Sequence, residues 1–252
     1  MLKKIIQNYV KQSKNVVRHA SSGRWYGPKG SKQWRPSVTT IINQTISKGN
    51  GYDQWLGNHP SYKIACQERD IAANRGTIVH EYAEELLKGN KVVPESEEIA
   101  KYLMSFEKFY NDNKVEVLAT ELFMWDMLVP WAGTCDIICK LNDKLAIIDL
   151  KTGNYYKSHE IQLNMYKQLL LKSVLEEEKE VEMYGLYVKG TWIKEPSYSL
   201  RKFKDNLDIA NFTYNLWCFL NGGRSGKPWP KDKANIKTQF ELERSGFDES
   251  IY

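Results

Sequence analysis

The second half of the chain shows the clearest pattern of apolar and polar positions. Short apolar runs rich in Val, Ile and Leu, separated by turn residues, predict strands over 115–125, 129–140 and 144–150. Longer stretches with helical spacing and one further apolar run predict a helix over 158–175, a strand over 181–193 and a helix over 203–220. Alternation of strands and helices predicts a sheet flanked by helices.

The first half is predicted to be mainly helical. Apolar spacing, interrupted by Pro and Gly, predicts helices over 53–74, with an early break at Pro60, and over 95–112. A separate helix is expected to begin at Gly76 and to end near Leu87. Upstream, residues 26–30 predict a turn between two short strands, and Ser37 is a candidate helix N-cap. The fold class predicted is therefore α/β or α+β.

Composition narrows the class of protein. A chain of 252 residues is long enough for one large domain or two small ones. With 42% hydrophobic and 27% charged residues, disordered and collagen-like chains are excluded. No apolar run reaches the length of a transmembrane helix, so we expect no membrane partner. Four scattered cysteines favour a reducing compartment, either a bacterial or phage-infected cytoplasm or, as second choice, the mitochondrial matrix.

Charge is distributed unevenly along the chain. Residues 1–52 contain ten Lys or Arg and no acid, and the first acidic residue is Asp53. A basic N-terminal segment on a mildly acidic body predicts a polyanionic partner, most commonly nucleic acid. Because aromatic and Arg side chains together can stack on unpaired bases, the candidates for nucleic-acid binding are Arg24, Trp25, Trp34, Arg35 and Arg75.

The most informative stretch is the predicted hairpin around Asn142–Asp143. If those two residues form the turn, cross-strand partners have numbers that sum to 285. Asp136 and Asp149 would then lie directly opposite each other on one face, which Lys151 would share. Their neighbours are mostly Ile, Ala and Leu, which predicts a buried position in the sheet.

Two adjacent carboxylates in an apolar hairpin need a cation between them. Oxygen ligands favour Mg²⁺ or Mn²⁺, as one or two ions. Lys151 could then orient a water molecule or stabilise phosphate charge. Two further features are uninformative alone: His80 at the edge of an apolar helical stripe, and Gln162 with Tyr166 on one helix face.

Taken together and in order, these residues form a series of four motifs. They are Arg75-Gly76-x-x-x-His80, Gly133-x-x-Asp136, Asp149-x-Lys151 and Gln162-x-x-x-Tyr166. The series resembles that of RecB-like nucleases in the PD-(D/E)XK superfamily. The upstream run Pro36-Ser-Val-Thr-Thr-Ile41 is similar to phage exonucleases and mitochondrial genome maintenance exonucleases.

The resemblance implies a fold and a set of roles. It implies a restriction-endonuclease-like core with a central mixed sheet at 113–220, a basic segment and helical cap at 1–112 and a polar tail at 221–252. It implies metal ligation by His80, Asp136, Asp149 and the carbonyl of Leu150, with Lys151 catalytic and Gln162 and Tyr166 in support. Glu121 is a candidate second-shell or second-metal carboxylate. Some relatives carry an iron–sulfur cluster on one N-terminal and three C-terminal cysteines, but here only Cys218 lies C-terminal to the four motifs, so we expect no cluster.

The function expected from the resemblance is a Mg²⁺- or Mn²⁺-dependent DNA exonuclease acting on single-stranded ends. A single-strand-binding or annealing protein is a possible partner. Three alternatives stay open at this point: a double-strand exonuclease of the phage recombination type, a structure-specific endonuclease, and an inactive DNA-binding module.

Overall fold

A computed structural model describes residues 2–12, 16–19, 23–30, 34–175, 180–192, 194–221 and 237–238. The predicted tail at 221–252 therefore lies almost entirely outside the described residues. The helices are α1 Leu2–Gln12, α2 Val38–Thr45, α3 Asn50–Gly57, α4 Tyr62–Leu87, α5 Glu97–Asp112, α6 Lys157–Leu169 and α7 Leu207–Leu220. The strands are β1 Val16–His19, β2 Trp25–Pro28, β3 Arg35–Pro36, β4 Val115–Met124, β5 Gly133–Leu141, β6 Lys144–Lys151, β7 Glu182–Val188, β8 Tyr198–Phe203 and β9 Lys237–Thr238.

The centre of the molecule is a mixed five-stranded sheet in the order β4-β5-β6-β7-β8. Neighbouring strands are antiparallel except β6 and β7, which run parallel and are connected through α6. A short turn can join only antiparallel neighbours, so two parallel strands need a longer crossover connection such as a helix. The fold is thus α+β, with a mixed central sheet flanked by helices, as the sequence predicts.

Helices cover both faces of this sheet. On one face, Ile138 and Ile147 belong to an apolar cluster with α2, α6 and α7. On the other face, Ile137 and Ile148 belong to a second cluster with α4 and α5. Alternate residues of β5 and β6 therefore enter opposite cores, which explains why these strands are apolar almost throughout. None of the described helices has the length and apolar character needed to span a membrane.

One predicted helix boundary in the first half of the chain is wrong. A single helix, α4, runs from Tyr62 to Leu87 and passes through Gly76, which was expected to begin a new helix. Ser61 caps its N-terminus by accepting a hydrogen bond from the Ile64 N–H. A glycine inside a helix costs only about 1 kcal/mol relative to alanine, which packing of Val79 and Ala83 offsets.

Other differences between prediction and structure concern the ends of one strand and one helix, and a strand that was not predicted. The strand expected over 181–193 ends at Val188, and β8 was not predicted at all. In β8 only Phe203 is buried, because this strand forms the edge of the sheet. The helix expected to reach residue 175 ends at Leu169 and continues as a π-helical segment, Leu170–Leu175. The predicted Ser37 cap, α5 and the turn at 142–143 are confirmed.

Candidate functional site

A cleft of about 1020 Å³ lies over the ends of β4, β5 and β6. Residues of α4 and α6 form two of its walls, and the segment around residues 24–39 forms a third. Nine of the predicted site residues line it: His80, Asp136, Asp149, Leu150, Lys151, Gln162, Tyr166, Glu121 and Arg24. The fold therefore brings the four motifs together around one space.

The hairpin register is the one that the sequence predicts. Five cross-strand pairs from Leu141↔Lys144 to Ile137↔Ile148 all have numbers that sum to 285. The ladder ends there, one position short of Asp136 and Asp149. At that position the backbone N–H of Leu150 donates to Asp136 Oδ2 at 2.8 Å. The two carboxylates thus lie where the strands separate, and not as a regular cross-strand pair.

Asp149 is the most deeply buried acid of the site, with a side chain that is 1% exposed. Gln162 Nε2 donates to its Oδ1 at 3.0 Å, and Lys151 Nζ lies 2.6 Å from its Oδ2. The Lys151 ammonium is therefore the cation that this buried oxygen faces.

A second group consists of His80, Glu121 and Asp136. His80 Nδ1 lies 3.5 Å from Asp136 Oδ2 and 3.9 Å from Glu121 Oε1. One ligand atom from each of the three lies within 4.8 Å of the others, a spacing that could hold a metal ion. Among the described residues this is the set of three that meets that criterion, and Asp149 lies outside it.

Glu121 reaches this position through an unusual backbone. Its φ is 44°, in the left-handed region that non-glycine residues rarely adopt. Such a conformation costs on the order of 1–3 kcal/mol and persists where surrounding structure enforces it. The sequence predicts Glu121 only as a candidate second-shell or second-metal carboxylate, and no sequence signal indicates a left-handed residue within a strand.

Electrostatics favour a proton or a cation among these side chains. Burial raises the pKa of Asp136 and Asp149, although the charges of His80 and Lys151 oppose that rise. Burial lowers the pKa of His80, but the charges of Asp136 and Glu121 outweigh it and leave the pKa raised. The pKa of Lys151 is also raised, because Asp149 and Asp136 outweigh its burial. A divalent cation could replace the proton that His80 holds.

Tyr166 packs on the backbone of Gly133, and this contact connects two of the motifs. A Cβ at Gly133 would lie 2.6 Å from Tyr166 Cε1, so no larger residue fits without displacing the ring. The Tyr166 hydroxyl accepts from Gln162 Nε2 at 3.2 Å. Gly133 is thus needed for close approach, and Tyr166 fixes the amide that holds Asp149.

Arg24 is the one predicted nucleic-acid ligand that lines the cleft. Its Nη2 donates to Thr39 Oγ1 at 2.7 Å, and its backbone N–H donates to Thr40 Oγ1 at 2.8 Å. Thr39 also lines the cleft, although no motif in the sequence identifies it as a site residue. The guanidinium is therefore held at the first turn of α2, facing the same space as the acids.

The prediction that Trp25 and Trp34 stack on bases is wrong. Each side chain is only 7% exposed and belongs to the main apolar core. Trp25 meets Trp217 edge to face, with ring centroids 5.7 Å apart. Tryptophan in a basic segment is compatible with base stacking, but here burial of the large apolar ring in the core stabilises the fold instead.

Arg35 and Arg75 also have structural partners. Arg35 donates from Nε to the Val129 carbonyl and from Nη2 to the Met127 carbonyl. Arg75 pairs with Glu98 at 2.8 Å and lies over the Tyr102 ring, so it connects α4 to α5. Neither lines the cleft. Cys135 and Cys139 are fully buried and pack in the apolar clusters on either side of the sheet.

Sequence reasoning missed His159, which lies on the first turn of α6. Its Nδ1 is 2.9 Å from the Tyr187 hydroxyl. Burial lowers its pKa to about 4, and the positive charge of Lys151 acts in the same direction. The imidazole of His159 is therefore neutral at pH 7 and lies close enough to Lys151 and Asp149 to be affected by their charges.

Comparisons with known proteins give little further information. No family model and no curated protein matches the chain. Among solved structures, a candidate exonuclease from Eubacterium rectale is 11% identical over 63% of this chain and 72% of that chain, with a TM-score of 0.40. The protein SSO0001 is 16% identical over 88% of each chain, with a TM-score of 0.37. Because likenesses of this size carry no weight, function must be inferred from the cleft itself.

Proposed function

We propose that the protein is a metal-dependent nuclease that hydrolyses phosphodiester bonds of DNA, removing nucleotides from single-stranded ends. One observation carries the proposal: a three-ligand group of His80, Glu121 and Asp136 shares a cleft with a buried Asp149–Lys151 ion pair of 2.6 Å. Carboxylates for a divalent cation beside a lysine suit phosphoryl chemistry, in which negative charge must be stabilised.

The donor set fits a divalent cation. Two carboxylates and an imidazole each offer one ligand atom, and these atoms lie within 4.8 Å of one another. Because an imidazole is among the ligands, Mn²⁺ is expected to bind more tightly than Mg²⁺. When bound, the ion would polarise the phosphate and lower the pKa of a water molecule. Asp136, Glu121 and His80 would hold it, with Asp149 and the Leu150 carbonyl as further ligands.

The remaining side chains would orient the reaction. Lys151, at the cleft surface with 23% exposure, would donate to the attacked phosphate or to the attacking water. Gln162, fixed by Tyr166, would keep Asp149 in one orientation. In the reaction, a bond forms from the water oxygen to phosphorus, one P–O ester bond breaks, and the leaving oxygen takes up a proton.

The walls of the cleft support a nucleic acid as the substrate. Arg24 and Thr39 offer a guanidinium and a hydroxyl to a phosphate, and neither reads a base. A strand held by its backbone would be bound with little sequence preference. With the basic charge of residues 1–52, this supports nucleic acid as the substrate.

The experiment is cleavage of 5′- and 3′-labelled single- and double-stranded DNA, and of the matching RNA, with Mg²⁺, Mn²⁺ or EDTA. Metal-dependent loss of label from one end of single-stranded DNA supports the proposal and gives the polarity. Internal fragments would indicate an endonuclease, and faster loss from duplexes would indicate a double-strand exonuclease. DNA binding by the folded protein without any cleavage would overturn the proposal in favour of an inactive binding module.

A further inference from the structure

Helix α6 places three side chains on three neighbouring strands of the central sheet. His159, Gln162 and Tyr166 are three and four residues apart, so they lie on one face of the helix. Tyr166 packs on the start of β5, and Gln162 donates to an acid on β6. His159 reaches one strand further, where its Nδ1 lies 2.9 Å from the hydroxyl of Tyr187 on β7. The first two contacts belong to the candidate site, and the third adjoins it.

The Tyr187 ring lies beside the buried Asp149–Lys151 ion pair. In the parallel register of β6 and β7, Asp149 lies beside Gly185 and Lys151 lies beside Tyr187. Side chains alternate along both strands, so these register partners point to the same face of the sheet. A Cβ at Gly185 would lie 2.8 Å from Tyr187 Cε2 and 2.9 Å from the hydroxyl, so the ring crosses directly over this glycine. Gly185 is therefore needed for the ring to approach the ion pair.

The hydrogen bond between Tyr187 and His159 has a defined direction. His159 Nδ1 accepts from the Tyr156 N–H at 3.4 Å, and a ring nitrogen that accepts from an amide carries no proton. The Tyr187 hydroxyl is therefore the donor to this nitrogen. Burial lowers the pKa of His159 to about 4, so the imidazole is neutral and its proton is on Nε2. Burial, and then the charge of Asp149, raise the pKa of Tyr187, which keeps its hydroxyl protonated.

The surroundings of Lys151 differ between its two sides. The acids whose charges raise its pKa are Asp149, Asp136 and Glu121, and all three line the cleft. On the β7 side, Lys151 has an uncharged tyrosine ring as its register partner, with a neutral imidazole bonded to that ring. The attraction of the acids and the bulk of the ring therefore direct the ammonium the same way, towards the cleft.

We propose that Tyr187 and His159 are positioning residues for Lys151. Their hydrogen bond fixes the tyrosine ring over Gly185, and the ring keeps the Lys151 ammonium against Asp149 and directed into the cleft. This rests on the proposed function and adds to it two residues that act through Lys151, since neither lines the cleft itself. A residue that only filled the core here would need neither a hydroxyl nor an acceptor for it, because phenylalanine fills the same space.

The variants separate the hydrogen bond from packing. Tyr187→Phe keeps the ring and removes the hydroxyl. His159→Leu removes the acceptor, whereas His159→Gln keeps an oxygen that can accept from the hydroxyl. The matched control is Tyr184→Phe, which removes a hydroxyl that donates to Glu182 at 2.6 Å, on the same strand but on the opposite face of the sheet. Each protein is measured for single-turnover cleavage of single-stranded DNA, for DNA affinity in EDTA and for unfolding in urea.

A positioning role predicts a loss in rate without a loss in binding. We expect Tyr187→Phe and His159→Leu to cleave about tenfold more slowly at saturating DNA, since a displacement of about 1 Å near the reacting atoms can cost about a hundredfold. Their DNA affinity should stay within about twofold of the wild type, because the ground-state contacts are kept. His159→Gln should recover most of the rate lost in His159→Leu, and Tyr184→Phe should match the wild type. Folded Tyr187→Phe and His159→Leu proteins that cleave as fast as Tyr184→Phe, or that lose only DNA affinity or stability, overturn the proposal.

Nitrogen NMR of the imidazole tests the same geometry without cleavage. The His159 Nδ1 signal should shift in Tyr187→Phe and stay unchanged in Tyr184→Phe, because only the first removes its donor. The pKa of His159 should rise in Lys151→Met and not in Lys157→Met, which removes a charge that is 79% exposed on the same turn of α6. Unchanged His159 signals in Tyr187→Phe and Lys151→Met overturn the positioning role even if the protein is a nuclease. A wild type that shows the expected signals but cleaves no substrate overturns the nuclease instead.

Discussion

Glu121 lies opposite Asp136 on neighbouring strands, between the pairs Thr120↔Ile137 and Leu122↔Cys135. The register of β4 and β5 shifts by one residue between Val117 and Ala119. Without that bulge, the pairing at Val117↔Cys139 would continue and place Thr120 opposite Asp136. The bulge therefore exchanges a hydroxyl for a carboxylate at the site, a known use of bulges beside functional sites.

Replacement of Glu121 tests whether this carboxylate is a metal ligand. Glu121→Gln removes the charge but keeps the shape, so we expect the apparent Kd for Mn²⁺ to rise by about tenfold or more. His80→Ala should act in the same direction. The measurement is a Mn²⁺ titration by calorimetry, with Glu81→Gln, an exposed cleft residue outside the ligand group, as control. A Glu121→Gln titration that matches the control would remove Glu121 from the ligand set.

Gly133→Ala tests the contact that supports Asp149. The new methyl group would meet Tyr166 at 2.6 Å, and overpacking of this kind costs about 1–3 kcal/mol of unfolding free energy. Movement of Tyr166 would also shift Gln162, so we expect cleavage to fall by about tenfold or more. Urea unfolding and single-turnover rates measure both effects.

The matched control for that substitution is Gly57→Ala, where a Cβ meets no atom within 4 Å. It should retain wild-type activity and stability or become slightly more stable. Equal unfolding free energies for Gly133→Ala and Gly57→Ala would mean that Tyr166 does not pack as described.

Trp25→Ala and Arg24→Ala test two different roles: Trp25 as a residue of the apolar core and Arg24 as a nucleic-acid contact in the cleft. Removal of the buried Trp25 ring should lower the free energy of unfolding by about 3–5 kcal/mol. Arg24→Ala should instead weaken binding of single-stranded DNA and reduce its salt dependence, since one phosphate contact is lost. Chemical denaturation and fluorescence anisotropy measure these effects. A stable Trp25→Ala protein with weak DNA binding would restore the stacking role that burial argues against.

His159 gives a prediction about pH. Its pKa is about 4 in the folded protein, below its ordinary value of 6.5, so the unfolded state binds this proton first as pH falls. Its contribution to stability is therefore complete above pH 6.5 and is lost as pH falls towards 4. The slope is at most about 1.4 kcal/mol per pH unit.

The measurement is urea unfolding of the wild type and of His159→Gln between pH 4 and 7. We expect the free energy of unfolding of the wild type to fall more steeply with decreasing pH than that of the variant. The difference between the two isolates His159 from the acids that both proteins share. Parallel pH profiles would mean that His159 is protonated as readily in the folded state as in the unfolded one.

Much of the sheet could be predicted because its signals are local. The turn at Asn142–Asp143 sets the register of β5 and β6, and apolar alternation identifies both strands. The same register brings Asp136 close to Asp149 and places Lys151 beside Asp149. Spacing within one hairpin and one helix is thus enough to find most of the candidate site.

Other features depend on contacts between distant segments. The bulge that brings Glu121 to Asp136 has no signature in the sequence, and neither does the left-handed backbone at Glu121. Burial of Trp25 depends on Trp217, which is 192 residues away. A basic, aromatic segment is equally compatible with a surface and with a core until its partner is known.

The most direct test of the central claim is the single-turnover rate of DNA cleavage by Lys151→Ala and Asp149→Asn, with DNA binding and unfolding measured alongside. Glu81→Gln is the control, since it changes a charge in the same cleft. The cleft geometry predicts that both variants fold and bind DNA but cleave at least about a thousandfold more slowly, while Glu81→Gln stays near the wild-type rate. Folded Lys151→Ala and Asp149→Asn proteins that cleave as fast as the control would contradict the assignment of this cleft as the active site.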